Sequence, residues 1–268
     1  MNKIDIKNMR KIEPPNTEDR PTLTSDIRDF WSRNVNAERI MGNTVSLEQR
    51  GGEKYFEELE AQRYRSHYHL KPWINSMDKG KSVLELGCGI GMDTFSMAKN
   101  GLNVTALDLT EVGVRTARNR FEKSKFNGSF LAGNAEMLPI KDNQFDYVYS
   151  FGVLHHAANT EKTIREVYRV LSPGGTAKIM LYHRHSINEL VHRITKVPFE
   201  EKDELCPVVR RFTVNEVKTM FNQFSNIHLQ LEYVYGEGYG KLFSLTPKLL
   251  YKFLSKHWGW HIMITARK

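Results

Sequence analysis

Short apolar runs alternate with amphipathic stretches along the chain from residue 82 to about residue 195. The apolar runs suit strands that are covered on both faces, and the stretches between them place apolar residues at helical spacing. The predicted strands are 82–86, 103–107, 129–132, 145–150 and 176–181, and the predicted helices are 92–100, 111–123, 160–171 and 186–195. Strands and helices that alternate through short connections predict a parallel sheet with helices on both faces.

Two helical patterns precede this region. Thr24-Ser25-Asp26 predicts the N-cap of a short helix. A longer pattern, GEKYFEELEAQRYRSHYHL, predicts a helix that ends before Pro72 and carries Tyr64 and Tyr68 as i,i+4 neighbours. An aromatic stripe of this kind packs in a core more often than it forms a ligand cage. A helix just before the first strand can, however, fold over the carboxyl edge of the sheet.

The pattern changes near the end of the alternating region. Pro173-Gly174-Gly175 predicts a turn before the fifth strand. Thr213 to Glu216 predicts a capping box that opens a helix reaching about Phe224. A strand at 226–234, a basic and aromatic helix at 246–258 and a strand at 261–266 complete the predicted elements.

A glycine-rich turn, within the sequence VLELGCGIGMD from Val83 to Asp93, joins the first predicted strand to its helix. Gly87, Gly89 and Gly91 permit backbone conformations and close approaches that a Cβ would block. Such a turn can hold a nucleotide-like ligand against its backbone N–H groups. A tight turn that binds nothing explains the same glycines, so the turn alone does not indicate a ligand.

Polar side chains follow the second and third predicted strands. Asp108 stands 17 residues beyond Gly91, where one carboxylate can accept from both hydroxyls of a ribose. Asn134 and Ala135 place a polar acceptor beside a small residue, which suits the edge and face of an adenine. Because ligands of open α/β sheets bind at the carboxyl edge, these residues predict a nucleotide-like site.

Composition narrows the class of protein. The hydrophobic fraction is 40% and the charged fraction 26%, as in a globular domain, and only Cys88 and Cys206 are present. No apolar run reaches the roughly 18 residues of a membrane span, and the polar start MNKIDIKNMRKIEPP lacks a signal-peptide core, so we expect a cytoplasmic protein. The net charge of +8 fits a nucleic acid, an anionic membrane surface or an acidic substrate. Its scattered lysines and arginines favour ordinary surface charge.

Four segments in this order resemble the class I S-adenosylmethionine-dependent methyltransferases, in particular the group with the type 11 methyltransferase domain. They are VLELGCGIG (83–91), VTALDLT (104–110), GNAEMLPIKDNQFDYVYSFGVLHH (133–156) and VLSPGGTAKIMLYH (170–183). The resemblance implies an α/β fold: a Rossmann-like, seven-stranded, mostly parallel sheet flanked by helices, with the last strand antiparallel and an N-terminal helical lid. It divides the chain into an arm and lid at 1–78 and a methyltransferase domain at 79–268, with substrate-side insertions at 182–212 and 235–260.

The resemblance also assigns a site for S-adenosyl-L-methionine. Asp108 is the expected ribose ligand with Leu109 against the adenine, and Phe151 lies near the sulfonium. Asn134 and Ala135 hold the adenine amine; the family more often has Asp at position 134, so weaker adenine binding is expected. The expected lining of the methionine and ribose part is Glu85, Gly87, Cys88, Gly89 and Gly91, with the aromatic pair Tyr64 and Tyr68 from the lid.

A nicotinamide-dependent dehydrogenase is the competing interpretation of the same glycines and acid. It is disfavoured because the spacing is GxGxG without a GxGxxG, and because GNAEMLP and LSPGG have no role there.

Histidines and a tyrosine at the ends of the fourth and fifth strands are the candidate catalytic residues. Methyl transfer is an in-line displacement in which the protein orients the reactants and sometimes supplies a base. Histidine titrates near neutrality, so His155, His156, His183 and Tyr182 are the predicted base candidates. A motif or surface role explains each histidine as well. No metal site is predicted, because no carboxylate accompanies these histidines at ligand spacing.

The sequence indicates the acceptor least clearly. Phe30, Trp31 and His185 are the predicted substrate contacts, and an aromatic-lined pocket favours a small organic molecule, including a natural-product or peptide metabolite. An RNA-directed methyltransferase is the alternative, favoured by the basic charge but not by motif, since no NPPY or DPPY tetrapeptide follows the fourth strand. A cofactor-binding scaffold without catalysis is a third hypothesis, disfavoured by the intact glycine turn and Asp108.

Overall fold

The computed structural model describes residues 21–34, 51–196, 205–236 and 239–268. Its strands, β1 to β7, form one sheet with the order β3-β2-β1-β4-β5-β7-β6. β7 pairs antiparallel with β5 and with β6, and the other pairs are parallel. The mostly parallel sheet with an antiparallel last strand is therefore confirmed. The strands are β1 Ser82–Leu86, β2 Asn103–Asp108, β3 Ser129–Ala132, β4 Phe145–Phe151, β5 Leu171–Tyr182, β6 Ser225–Glu232 and β7 His261–Arg267.

Helices flank the sheet and precede it. Four of them, at 92–99, 111–124, 160–170 and 187–195, follow β1, β2, β4 and β5, as the alternating pattern predicts. No helix in the described ranges is both long and apolar enough to cross a membrane. The helices are α1 Pro21–Arg33, α2 Glu53–Ser66, α3 Leu70–Asn75, α4 Met92–Lys99, α5 Glu111–Ser124, α6 Thr160–Val170, α7 Ile187–Thr195, α8 Val214–Met220, α9 Lys241–Leu245 and α10 Lys248–Trp258, with a 3-10 turn at Leu154–His156.

The N-terminal helices differ from their predicted boundaries. α1 begins at Pro21, so Thr24-Ser25-Asp26 lies inside the helix and is not its N-cap; proline suits a first helical position because its φ is already helical. The predicted long helix is two helices, α2 ending at Ser66 and α3 beginning at Leu70. Pro72 is the third residue of α3, where a missing N–H breaks no helical bond. Tyr68 therefore lies outside α2, and its i,i+4 relation to Tyr64 is lost.

The predicted turn at Pro173-Gly174-Gly175 is wrong in form. β5 begins at Leu171, and Phe145 pairs with Leu171 while Tyr147 pairs with Thr176. Residues 172–175 therefore bulge opposite a single residue of β4, with Gly174 at a φ of +78°. Later boundaries also shift, because α8 ends at Met220 and the predicted helix at 246–258 begins at Lys248, after the separate α9.

The strand order places a crevice at the carboxyl edge of the sheet. The chain runs from β1 outward through β2 to β3, then returns to the other side of β1 and continues through β4 and β5. The crevice of such sheets lies where the order reverses, here between β1 and β4. α2 and α3 pack on α4, whose residues from Met92 to Ala98 are all buried. The predicted lid thus has described helices over this edge, whereas residues 1–20 of the predicted arm lie outside the described residues.

The capping box of α8 offers a stability test. The Thr213 Oγ1 atom accepts from the Glu216 N–H at 3.2 Å, and the Glu216 carboxylate accepts from the Thr213 N–H at 2.6 Å. We expect Thr213→Ala to lower the free energy of unfolding by about 1 kcal/mol, since it leaves a helix donor without its cap. Urea unfolding measures the change. Thr219→Ala, an exposed site in the same helix, is the control, and an equal loss in both variants would contradict the capping role.

Candidate functional site

A cavity of about 460 Å³ opens at the carboxyl ends of the first four strands. Its volume falls within the roughly 300–1,000 Å³ that is usual for small-molecule sites. α1 and α2 close one side of it with Ile27, Trp31, Tyr55 and Arg63. Nine residues predicted for the cofactor site line this one cavity: Glu85, Gly87, Cys88, Gly89, Asp108, Leu109, Asn134, Ala135 and Phe151.

Two glycines of the turn are required for different reasons. Gly87 has a φ of +75°, and a Cβ there would lie 2.3 Å from a methyl group of Val153. Gly87 therefore lets the turn pack against the loop after β4. Gly89 has a φ of +50°, and a Cβ there would meet no atom within 4 Å. Since Gly89 lines the cavity, its open side is a surface on which a ligand can lie against the backbone.

Asp108 holds the loop that surrounds the cavity. Its Oδ2 accepts from the Gly89 N–H at 2.7 Å, and its Oδ1 accepts from the Thr110 N–H at 2.8 Å and the Thr110 hydroxyl at 2.7 Å. A carboxylate oxygen can accept two hydrogen bonds, so Oδ2 retains capacity for one more. Asp108 thus joins the glycine turn to the end of β2 and still presents an acceptor at the cavity.

Asn134 and Ala135 are held by a turn after β3. The Asn134 Oδ1 atom accepts from the Glu136 N–H at 2.9 Å, and its backbone carbonyl accepts from the Met137 N–H at 3.1 Å. An asparagine side chain stabilises such a turn by bonding the backbone two residues on. Asn134 therefore has a local structural role in addition to its place on the cavity wall.

A buried network centred on Asp93 lies behind the glycine turn. Arg63 donates from Nε to Asp93 Oδ1 at 2.7 Å and from Nη2 to Oδ2. The hydroxyls of Tyr64 and Tyr149 donate to the same carboxylate at 3.0 and 2.8 Å. Burial raises the pKa of Asp93, but the Arg63 charge and these hydrogen bonds outweigh it and leave the pKa below its ordinary value. Asp93 is therefore a buried carboxylate that stays charged.

Glu85, in the middle of β1, is a second buried acid with the opposite behaviour. Burial and the neighbouring charge of Asp93 raise its pKa to about 8, against a hydrogen bond from the Thr94 hydroxyl. The folded state therefore favours protonated Glu85 at neutral pH. Because this pKa lies above the ordinary value of 4.5, the stability that the group contributes is complete below pH 4.5 and is lost as the pH rises through about 8.

The rings of His155, His156 and Tyr182 are in contact with one another, whereas His183 lies elsewhere. His156 lines the cavity, with its ring 5.0 Å from that of Trp31. His155 is buried and stacks on Tyr182, whose ring stacks in turn on Trp260. His183 is buried against the Gly259 carbonyl, and His185 is exposed in a separate open groove beside Trp258. Of these candidates, only His156 borders the cavity within the described residues.

Four other predicted site residues do not line the cavity. Tyr64 belongs to the Asp93 network. The Tyr68 hydroxyl donates to the carboxylate of Glu232, at the end of β6, at 2.7 Å. Phe30 is buried against Trp31, so only the latter faces the cavity. At Gly91, a Cβ would lie 2.8 Å from that of Ala117, so helix packing explains this glycine without a ligand.

The structure adds residues that the sequence reasoning missed. Arg63 lines the cavity, and Asp93 anchors it. His67 and the buried His69 and His261 form a cluster next to Phe151, with His261 Nδ1 at 3.2 Å from His69 Nε2. Burial lowers the pKa of His67 to about 4 and of His69 to about 3, so these rings are neutral. His67 and His69 belong to one HYH tripeptide in the sequence, but no local pattern connects them to His261, which is 192 residues from His69.

Metal binding has no visible ligand set in the part of the chain that the structure describes. No group of three or more histidine, cysteine, aspartate or glutamate side chains there is arranged to hold an ion.

Comparison with known proteins relates this site to one family. Residues 84–179 match the family described as "Methyltransferase domain". Sterol 24-C-methyltransferase erg6 of Schizosaccharomyces pombe is 31% identical over 157 residues, which are 57% of this chain and 38% of that protein. Demethylmenaquinone methyltransferase of Symbiobacterium thermophilum is 30% identical over 169 residues, or 61% of this chain and 60% of that protein. The chain thus spans between about two fifths and three fifths of the length of these relatives.

A solved structure agrees on the fold. A SAM-dependent methyltransferase of Thermotoga maritima, described as a possible histamine N-methyltransferase, superposes with a TM-score of 0.59 over 90% of this chain and 99% of that chain, at 19% identity. The matched segment contains the glycine turn, Asp108 and the turn at Asn134, which are the motifs that line the cavity. Residues 84–179 are thus similar to the methyltransferase domain family, and the chain shares the fold of this SAM-dependent methyltransferase.

Proposed function

We propose that the protein transfers a methyl group from S-adenosylmethionine to an O, N or C nucleophile of a small organic acceptor. The observation that carries the proposal is the cavity at the reversal of strand order, which is lined by residues of the ordered family motifs. The relatives are named for a sterol and for demethylmenaquinone, which supports a small organic acceptor over RNA.

The residues around the cavity fit the cofactor. Gly89 leaves an open backbone surface, and Asp108 has an acceptor oxygen for a ribose hydroxyl. The Glu85 carboxyl group suits the ammonium and the sulfonium of the cofactor, which are both positive. The Arg63 guanidinium suits the carboxylate of the cofactor. Asn134 and Ala135 provide the wall for an adenine. The cavity thus offers a group of matching polarity for the ribose, the methionine part and the adenine of the cofactor.

The cofactor supplies an activated methyl group, so the protein has to position the acceptor and exclude water. Ile27 and Trp31 of α1 cover the cavity and leave apolar surface toward it. His156 is the proposed base. Its Nδ1 lies 2.6 Å from the Val208 carbonyl, which can only accept, so Nδ1 carries the proton and Nε2 is the basic nitrogen.

Gly89→Ala tests the cofactor site. We expect this variant to lose about 1–2 kcal/mol of stability from the left-handed φ, and also to lose binding of S-adenosylhomocysteine because the new Cβ enters the cavity. Thermal unfolding with and without S-adenosylhomocysteine measures both effects. Gly80→Ala is the matched control, since Gly80 also has a positive φ (+79°) and open space but lies outside the cavity. If wild type shows no stabilisation by the ligand, the proposal is wrong.

The pKa of Glu85 predicts a pH-dependent affinity. The ammonium group of bound S-adenosylhomocysteine lowers this pKa from about 8, so binding releases a proton below that pH. We expect the affinity for S-adenosylhomocysteine to rise between about pH 6 and pH 8, by no more than tenfold per pH unit. Calorimetry in a pH series and in buffers of different ionisation enthalpy measures affinity and proton release. In Glu85→Gln the rise should vanish; a parallel rise in the variant would assign it to another group.

His156→Gln tests the proposed base. Transfer of a labelled methyl group to a panel of phenols, amines and enolisable diones measures the rate. On an accepted phenol we expect His156→Gln to lower kcat by about 100-fold or more, with S-adenosylhomocysteine binding unchanged. His185→Gln, exposed in the separate groove, should keep the wild-type rate. Equal small losses in both variants would leave orientation and water exclusion as the only contributions of the protein.

A further inference from the structure

Exposed apolar side chains concentrate on the helices α7, α9 and α10. Eight of the twelve exposed large apolar side chains in the described ranges belong to these three helices. Among them, Leu249 is 83% exposed, Leu245 76%, Ile194 71% and Phe253 54%. Contiguous apolar surface on a protein marks a site of interaction more often than scattered single residues do. We call the outward surface of α7, α9 and α10 the lysine–leucine face.

The exposed charged side chains of the described helices on this face are all basic, while Glu189 of α7 is buried and paired with Arg211. Lys241, Lys248, Lys252 and Lys256 are all exposed, and the sequence from Tyr239 to Lys268 contains no aspartate or glutamate. Arg193 is exposed on α7 beside Leu190. The lysines of α9 and α10 are therefore not accompanied by acids from the same stretch of sequence.

The two properties lie side by side on α10. Lys248, Lys252 and Lys256 follow one another at a spacing of four and form one stripe of the helix. Leu249 and Phe253 form the adjacent exposed stripe, while Tyr251 and Ser255 face inward and are buried. A helix with an apolar stripe next to lysines fits the boundary between the hydrocarbon and the headgroups of a membrane, because the long lysine side chains can reach outward.

The three helices form one surface on one edge of the protein. The Tyr239 hydroxyl donates to Asn188 Oδ1 of α7 at 2.6 Å, and Leu254 of α10 packs with Ile187 in one apolar cluster. α7 follows the carboxyl end of β5, while α9 and α10 connect the end of β6 to the start of β7. β6 runs parallel to β5, so the face lies at the same edge of the sheet as the cavity.

We propose that the lysine–leucine face binds an anionic lipid surface. Its lysines attract a negative membrane, and its leucines, Phe253 and Trp258 enter the apolar layer. RNA would use the lysines but would leave the leucines in water. A second copy of the chain would cover the leucines but would oppose one set of lysines to another. The lipid surface is the occupant that uses both properties. This binding does not depend on the proposed enzymatic function.

Vesicle sedimentation tests the proposal. We expect the full-length protein to sediment with vesicles of phosphatidylglycerol and phosphatidylcholine. It should stay in the supernatant at high salt, and also with vesicles of phosphatidylcholine alone. Replacing Lys248, Lys252 and Lys256 by Gln should weaken binding about fivefold per lysine. The control replaces Lys54, Lys141 and Lys218, which are exposed elsewhere, and removes the same charge without affecting binding.

Insertion of apolar side chains is tested separately. Lipids brominated on their acyl chains should quench the fluorescence of Trp258, and Trp258→Phe should remove most of this quenching. Leu249→Gln with Phe253→Gln should abolish quenching and weaken sedimentation more than tenfold. The thermal midpoint and its shift with S-adenosylhomocysteine should stay unchanged in each variant, because the face is separate from the cavity. This readout distinguishes failure of the lipid proposal from failure of the proposed function.

Three results would overturn the proposal. The first is no binding to anionic vesicles, or equal binding of the wild type and the triple lysine variant. The second is salt-sensitive binding to RNA through the same lysines without lipid quenching, which would assign the face to a nucleic acid. The third is a dimer in solution that Leu249→Gln with Phe253→Gln dissociates, which would assign it to a second copy of the chain.

Discussion

The ion pair between Arg63 and the buried Asp93 connects the N-terminal helices to the sheet, and the site depends on both. Arg63 comes from α2, before the sheet, and Asp93 from the first turn of α4, directly after the glycine turn. Removing one partner of a buried pair leaves a charge without compensation, at a cost of about 3–5 kcal/mol. Tyr64 and Tyr149 add hydrogen bonds from α2 and β4. α2, the glycine turn and the sheet are therefore held to one another at a single carboxylate.

This pair also determines the charge of the cavity. Arg63 compensates Asp93, but Glu85 lies close to the same carboxylate and accepts a hydrogen bond from the neutral Thr94 hydroxyl. Glu85 therefore binds a proton near neutral pH. In the proposed function, a cationic cofactor replaces that proton. Glu85 then destabilises the free protein at high pH and stabilises the complex, so stability and binding change in opposite directions with pH.

The carboxyl edge of the sheet has two halves that meet at Phe151. On one side is the cavity; on the other are His67, His69 and His261, packed with tyrosines and with their pKa values lowered by burial. The Arg63 guanidinium lies 5.3 Å from the centre of the Phe151 ring. Tyr68 and Tyr251 continue this second half toward α10 and the lysine–leucine face. Neutral, aromatic groups thus separate the charged cavity from the outer surface.

Local patterns in the sequence determined the elements and the cavity wall. The strands were predicted to within a few residues, the capping box at Thr213 was confirmed, and nine predicted cofactor residues share one cavity, because strand period, cap and turn chemistry act over a few neighbouring positions. Three features were decided only by the tertiary structure: the pairing of Arg63 with Asp93, the position of His156 at the cavity while the neighbouring His155 is buried beneath it, and the contact of His69 with His261. The lysine–leucine face likewise needed the burial of Tyr251, which shows which side of α10 faces outward. Contacts between distant segments depend on how the helices pack on the sheet, and no local pattern carries that information.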